Sequence, residues 1–366
     1  MPSIREITRV IEELAPLSLQ EEYDNSGLLY GNPDSVIQKV LLCLDCTEAV
    51  IDEAIEKKCE LVIAHHPIVF RGLKKINGTN YVERTLIKAI QNQIAIYACH
   101  TNLDNRLGGV NSRIAEKLRL TQTRILSPYP SGLKQLYTYV PVSHVEKVRE
   151  ALAEAGAGRL GQYDHCSFSS AGTGSFRAGE EAQPFTGKKG ELHLEAECRL
   201  EMIYPPSAES RVLKALYSAH PYEEPAFGIH TIDVPDRDRG AGLIGEWPEA
   251  ISAESFLKRV KEKMKTPLIR YAGAVNKPIR TVALCGGAGS FLLKKAIQAG
   301  ADAYISADFK YHEFFDTENR ILLADIGHYE SEQYTSEIFS ELLLKKFPTF
   351  AVLITSVNTN PVNYYT

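Results

Sequence analysis

Three apolar runs near the start of the chain end in polar residues, and no other feature constrains the fold as much. "VIQKVLLCLD" ends at Asp45, "ELVIAHH" at His65 and His66, and "IAIYACHTNLD" in His100, Asn102 and Asp104. Between them lie stretches of helical character: "TEAVIDEAIEKK", with Thr47 as N-cap, and "YVERTLIKAIQNQ". Short apolar strands alternating with helices across brief turns predict an α/β unit with a largely parallel sheet. Such sheets carry their sites at the carboxyl ends of the strands, which is where the polar residues gather.

The flanking segments extend the pattern. Ile4, Ile7, Val10, Ile11 and Leu14 fall at helical spacing behind a Ser3 cap, and "YDNSGLLYG" reads as a turn-rich stretch. "GGVNSRIAEKLRL" predicts another helix. Near Leu126 the order changes to strand-helix-strand twice over, which predicts a small ferredoxin-like α+β domain. "SPYPSG" and "VPDRDRGAG" mark its ends, so the expected division is 1–126, an inserted 127–234, and 235–366. The α/β pattern then resumes with "IRTVALCGGAGS", "ADAYIS" and "RILLADIGH", one long helix in "YESEQYTSEIFSELLLKKF", and a last strand in "TFAVLITSV". The glycines of "CGGAGS" suit a tight turn, since the phosphate-loop lysine is missing.

The composition narrows the class. The 366 residues carry a net charge of -5, which counts against a dedicated nucleic-acid binder. Seven scattered cysteines make no disulfide framework, and "CLDC" reads as two small residues in or beside a buried strand. Charges interrupt "MPSIREITRVIEELAP", so no signal peptide is expected there, and no run approaches the roughly 18 apolar residues of a membrane span. A cytoplasmic protein is the expectation.

The chemistry is expected at the strand ends. His328 and Glu332 stand four apart and share a helix face, a spacing that suits metal ligands, although such pairs are commonly just solvated. Pro67 favours an extended His66, so the two adjacent imidazoles point apart and could serve two ions or only one. His65, His66, Asp104, His328 and Glu332 make five candidate ligands. A single catalytic zinc usually takes three, so five suit two divalent ions roughly 3.5–4 Å apart. With only nitrogen and oxygen donors, zinc, iron, manganese and cobalt all remain open, zinc foremost. His100 and Asp45 are candidates to orient ligands by hydrogen bonds, with helix capping the alternative for Asp45. Asp308, Lys310 and His312 follow another strand in "SADFKYH". Lys310 and His312 are candidates to bind a substrate anion or move a proton, or are plain surface charge.

"AHHP", "HTNLD", "DFKYH", "GHYESE" and the terminal "NTNP" resemble the Nif-three-like family, the GTP cyclohydrolase I type-two homologues. The resemblance implies two metal ions per chain on His65, His66, Asp104, His328 and Glu332, with Asp308 supporting them. It also implies a homohexamer with its metal sites facing an internal cavity. "HPYEEPAF" resembles the PII-like or CutA-like domain inserted in longer members. Two departures are Tyr23, where the family often has tryptophan, and Ala307, where it often has glycine. The implied function is metal-dependent hydrolysis of a nucleotide-like substrate; the alternative is a metal-binding regulatory or metal-carrying protein without turnover.

Overall fold

The computed structural model describes residues 1–365. The chain divides into two compact units, Met1–Tyr129 with the segment from Arg237 onward, and Pro130–Asp236. All seven cysteines are free. Among the described residues, no helix is long and apolar enough to cross a membrane.

The first unit contains two sheets where the sequence pattern suggested one. The five-stranded sheet runs Gly27–Tyr30, Ala95–Ala98, Leu61–His66, Lys39–Asp45, Ala351–Ile354, and all but the first strand are parallel. The six-stranded sheet runs Arg270–Gly273, Leu322–Asp325, Ala303–Ala307, Ile279–Ala288, Pro235–Ile251, Thr121–Pro130. Its parallel pairs lie among Ile279–Ala288, Ala303–Ala307 and Leu322–Asp325, with Arg270–Gly273 and Pro235–Ile251 antiparallel to their inner neighbours.

Strand alternation explains the apolar runs. Val40, Leu42, Leu61 and Ile63 enter one buried cluster with Leu243, Val282, Ile305 and Leu322 of the other sheet. Their neighbours Leu41, Cys43, Val62 and Ala64 enter a second cluster with Val50, Ile51 and Leu86 from the helices Glu48–Lys57 and Tyr81–Gln91. Buried on both faces, these strands show no polar alternation. Ser3 caps the helix Ile4–Leu14 in a reciprocal box with Glu6, and Thr47 caps Glu48–Lys57.

Three expectations need correction. "VPDRDRGAG" does not only mark a boundary: Pro235 opens a long strand. Its Gly240 is required there, because a Cβ would lie 2.3 Å from Ser127 O. "YDNSGLLYG" holds a short strand, Gly27–Tyr30. The single long helix is broken into His328–Glu332 and Thr335–Lys346. At the break the Thr335 hydroxyl donates to Glu332 O and Gln333 Nε2 to Glu330 O, taking up carbonyls that a continuous helix would use.

The second unit runs β-α-β-β-α-β: Lys134–Pro141, Val145–Glu154, Ser167–Arg177, Leu192–Tyr204, Glu209–Ala219, Phe227–Thr231. Its sheet places Leu192–Tyr204 between Ser167–Arg177 and Lys134–Pro141, with Phe227–Thr231 outermost, and every pair is antiparallel. This is the split β-α-β order. Leu136, Val140, Leu200 and Met202 pack against Val148, Leu152, Val212 and Leu216 of the two helices.

Candidate metal centre

The strand Leu61–His66 delivers both histidines to the carboxyl edge of its sheet, with Asp45 beside His66 in register. His65 is fully buried, and its Nδ1 donates to Cys99 O over 2.8 Å. A carbonyl only accepts, so Nε2 carries the lone pair and faces the site. His66 Nδ1 pairs with Asp45 Oδ1 at 2.7 Å, and Thr359 Oγ1 donates to the other Asp45 oxygen at 2.6 Å. His328 Nδ1 pairs with Asp308 Oδ2 at 2.6 Å. Each ring is thus fixed by one nitrogen and presents the other, the usual arrangement of a ligating imidazole.

The presented atoms converge. His65 Nε2 lies 3.6 Å from Asp104 Oδ1 and 3.8 Å from Glu332 Oε2. His66 Nε2 lies 2.9 Å and His328 Nε2 3.2 Å from the same Glu332 oxygen. The His66 approach lacks hydrogen-bond alignment: His65 Nε2, His66 Nε2, Asp104 Oδ1 and Glu332 Oε2 are all buried without a hydrogen-bond partner. Four buried polar atoms without partners around one volume would be costly unless a cation filled it. The residues therefore fit a metal. They fall into overlapping groups of ligand spacing: His65 with Asp104 and Glu332, and His66 with His328 and Glu332. A third group joins His65, His66 and His100.

Burial and mutual contact set the charge states of these groups. Burial and the facing Glu332 carboxylate push Asp104 up to about 7. Burial would also raise Glu332, but the His328, His65 and His66 imidazoles hold it well below the usual carboxylate range. Burial pulls on His66 and His328 in the other direction, yet their carboxylate partners raise them to about 10 and about 11. Protons on these rings balance the buried carboxylates.

The remaining sequence candidates separate. His100 joins the cluster, its ring centroid 5.3 Å from those of both His65 and His66, and its Nδ1 pairs with Asp24 Oδ1 at 2.7 Å. Asp308 takes a left-handed backbone, φ 60°, just after the buried Ala307, and reaches His328 in that conformation. Lys310 and His312 are exposed; the Lys310 backbone amide donates to Glu313, and the His312 ring packs on Tyr311. Asp24 escaped the sequence reading, although "YDNSGL" carries it; it also accepts from the Thr101 amide and hydroxyl. Gly287, read from the sequence only as part of a tight turn, borders the ligands as well. At φ 61° it packs so closely that a Cβ would lie 2.5 Å from Glu332 Oε1.

A cavity of about 400 Å³ opens against His66 and His328, with Asp45, Asp308, Arg270 and Tyr364 in its wall. A larger one, about 980 Å³, is lined only by residues of the second unit, among them Phe176, Glu197 and Tyr222. The unpartnered ligand atoms all belong to residues of the first unit.

The comparisons with known proteins identify the family. The family model for Duf34/NIF3 (NGG1p interacting factor 3) matches residues 2–361. The chain belongs to the Duf34/NIF3 family. A Bacillus subtilis relative called GTP cyclohydrolase 1 type 2 homolog is 38% identical over 366 residues, covering 98% of each chain. Among solved structures, a Bacillus cereus protein related to NIF3 superposes with TM-score 0.80 at 36% identity, covering 100% of this chain and 99% of that one. The Staphylococcus aureus protein SA1388 superposes with TM-score 0.85 at 28% identity, covering 100% and 99%. As a family member of mixed α/β fold, the chain holds histidine and carboxylate groups arranged to bind a metal ion.

Proposed function

We propose that this Duf34/NIF3 chain is a dinuclear metal-dependent hydrolase acting on a nucleotide-like substrate. One observation carries the reading: the Glu332 carboxylate belongs to two of the three ligand groups, one with His65 and Asp104, the other with His66 and His328. A carboxylate shared in this way suits two ions side by side. Ions held there would activate a water as nucleophile near neutral pH. Zinc is the first expectation, with iron, manganese and cobalt open.

The chain's own residues set the geometry. Cys99 O, Asp45 and Asp308 fix the three rings, and Thr359 fixes Asp45 in turn. Gly287 closes one side of the Glu332 carboxylate. The cavity beside His66 and His328 leaves room for a substrate on the other side. The name shared by the relatives, GTP cyclohydrolase 1 type 2 homolog, brings a guanine nucleotide into the reading. A homohexameric assembly, a PII/CutA-like character for the second unit and a cytoplasmic location complete it.

Elemental analysis of the fully loaded chain should give two ions, and the loaded protein should turn over a nucleotide or phosphoester. One ion or none refutes the dinuclear part. Two ions without turnover across nucleotides and phosphoesters would leave a metal-binding regulatory or carrier protein instead.

A further inference from the structure

Arg270 opens the edge strand Arg270–Gly273 and stands in register with Asp325. Asp325 is buried at 4% exposure and acts as a clamp. One of its oxygens accepts from Arg270 Nη2 and from the Phe309 amide, at 3.1 Å for the latter; the other accepts from Gly327 N at 3.2 Å. Nη2 also donates to Phe309 O at 3.0 Å. One corner of the guanidinium is therefore fixed, while Nε and Nη1 have no protein acceptor among the described residues.

Those spare donors belong to a residue that lines the 400 Å³ cavity next to His66 and His328. The acidic groups of the same cavity are already engaged: Asp45 with His66 and Thr359, Asp308 with His328, Glu330 with Asn360. The Arg270 side chain is 52% exposed, so its spare donors meet solvent and are open to an incoming acceptor. A fixed planar guanidinium matches the paired oxygens of a phosphate or carboxylate. Leu44, Leu268, Tyr329, Val362 and Tyr364 supply an apolar and aromatic wall. The volume is at the small end of the range for small-molecule sites, roughly 300–1,000 Å³, so it suits one compact molecule rather than a polymer strand.

We infer that Arg270 is the oxyanion-binding residue of this cavity, holding the phosphate or carboxylate of a small substrate whose flat body lies on the apolar wall. Asp325 is the positioning residue that presents it. The inference rests on the proposed metal centre only for which end of the substrate reacts; anion capture follows from the clamp itself. This role falls to Arg270 and not to Lys310 or His312, neither of which lines the cavity.

The test uses phenylphosphonate, benzoate and neutral benzyl alcohol, with binding measured by calorimetry on the full chain, both metal-loaded and chelator-treated. Phenylphosphonate or benzoate should bind, the stronger of the two identifying the oxyanion, and benzyl alcohol should bind at least tenfold more weakly. Arg270→Gln should weaken the anion at least tenfold, with Arg270→Lys intermediate, while metal content stays at wild type and the melting temperature falls only by the lost ion pair with Asp325. Equal binding of the anions by Arg270→Gln, or failure of both to bind the wild-type chain, overturns the inference. Should Arg270→Gln fold poorly, the wild-type ligand series still decides: benzyl alcohol binding as well as the anions overturns it. A loaded chain with fewer than two ions would refute the dinuclear reading alone, because Arg270-dependent binding in the chelator-treated chain would survive it.

Discussion

Replacing Gly287 with alanine tests whether Glu332 is the shared ligand. The new Cβ would lie 2.5 Å from Glu332 Oε1 and 3.3 Å from the His328 ring. Ordinary contact begins near 3.4 Å, so Oε1 must retreat by about 0.9 Å, and the planar carboxylate turns with it, carrying Oε2 away from the three imidazoles it faces. Metal–ligand distances tolerate only about ±0.2 Å, and the displacement exceeds that several-fold. The backbone contributes separately, since alanine at φ 61° costs about 1–2 kcal/mol of left-handed strain. Gly300→Ala is the control: its φ is 76°, with nothing within 4 Å of the added Cβ, so it carries strain without the clash. In chemical denaturation Gly300→Ala should lose the strain alone, and Gly287→Ala should lose more by the clash. Only Gly287→Ala should lose metal affinity, by tenfold or more at both positions, measured by chelator competition with elemental analysis. If Gly287→Ala held two ions as tightly as Gly300→Ala, Glu332 would not be the shared ligand.

The ligand groups make further expectations. Glu332→Gln should empty both positions and Asp104→Asn only one, as elemental analysis of the two proteins would show. Asp45→Asn leaves His66 without its charged partner and should weaken metal binding about 10–100-fold in a still-folded protein, as expected for a lost orienting group. In the metal-free chain the folded His66 and His328 titrate near 10 and 11, above their ordinary value of 6.5. Their stabilising contribution is then complete below about 6.5 and disappears as pH rises through 10 and 11. Denaturation of chelated protein should show that decline, whereas metal affinity should climb over the same range because ions displace those protons. Replacing Pro130–Asp236 with a short linker should leave metal content unchanged, and a folded deletion protein without metal would overturn that expectation.

Most of the strands and helices were legible because their signals are local. Caps at Ser3 and Thr47, and strands ending in His66 and Asp45, follow from neighbouring residues alone. The second sheet was not legible, because the charged start of Pro235–Ile251 looks like a linker until its close approach to Ser127 is known. Nor was the break after Glu332, since serine, threonine and glutamine compete for carbonyls only in a particular three-dimensional setting. The five ligand candidates do come together, which the strand-end rule anticipates. Asp24 and Arg270 were invisible for the same reason as each other: each acts through a partner far along the chain, His100 for one and Asp325 for the other.

His65, His66 and Asp104 follow strands of one sheet, while His328 and Glu332 follow a strand of the other. An ion held between them would be a reversible crosslink closing a loop, and the whole of Pro130–Asp236 lies inside that loop. Loop-closure entropy grows only with the logarithm of length. Removing the second unit would about halve the loop and change the closure term by only about 0.6 kcal/mol. The centre is thus nearly indifferent to what the chain carries between its two halves, and this position can accept a whole folded unit with little cost to the ligands on either side.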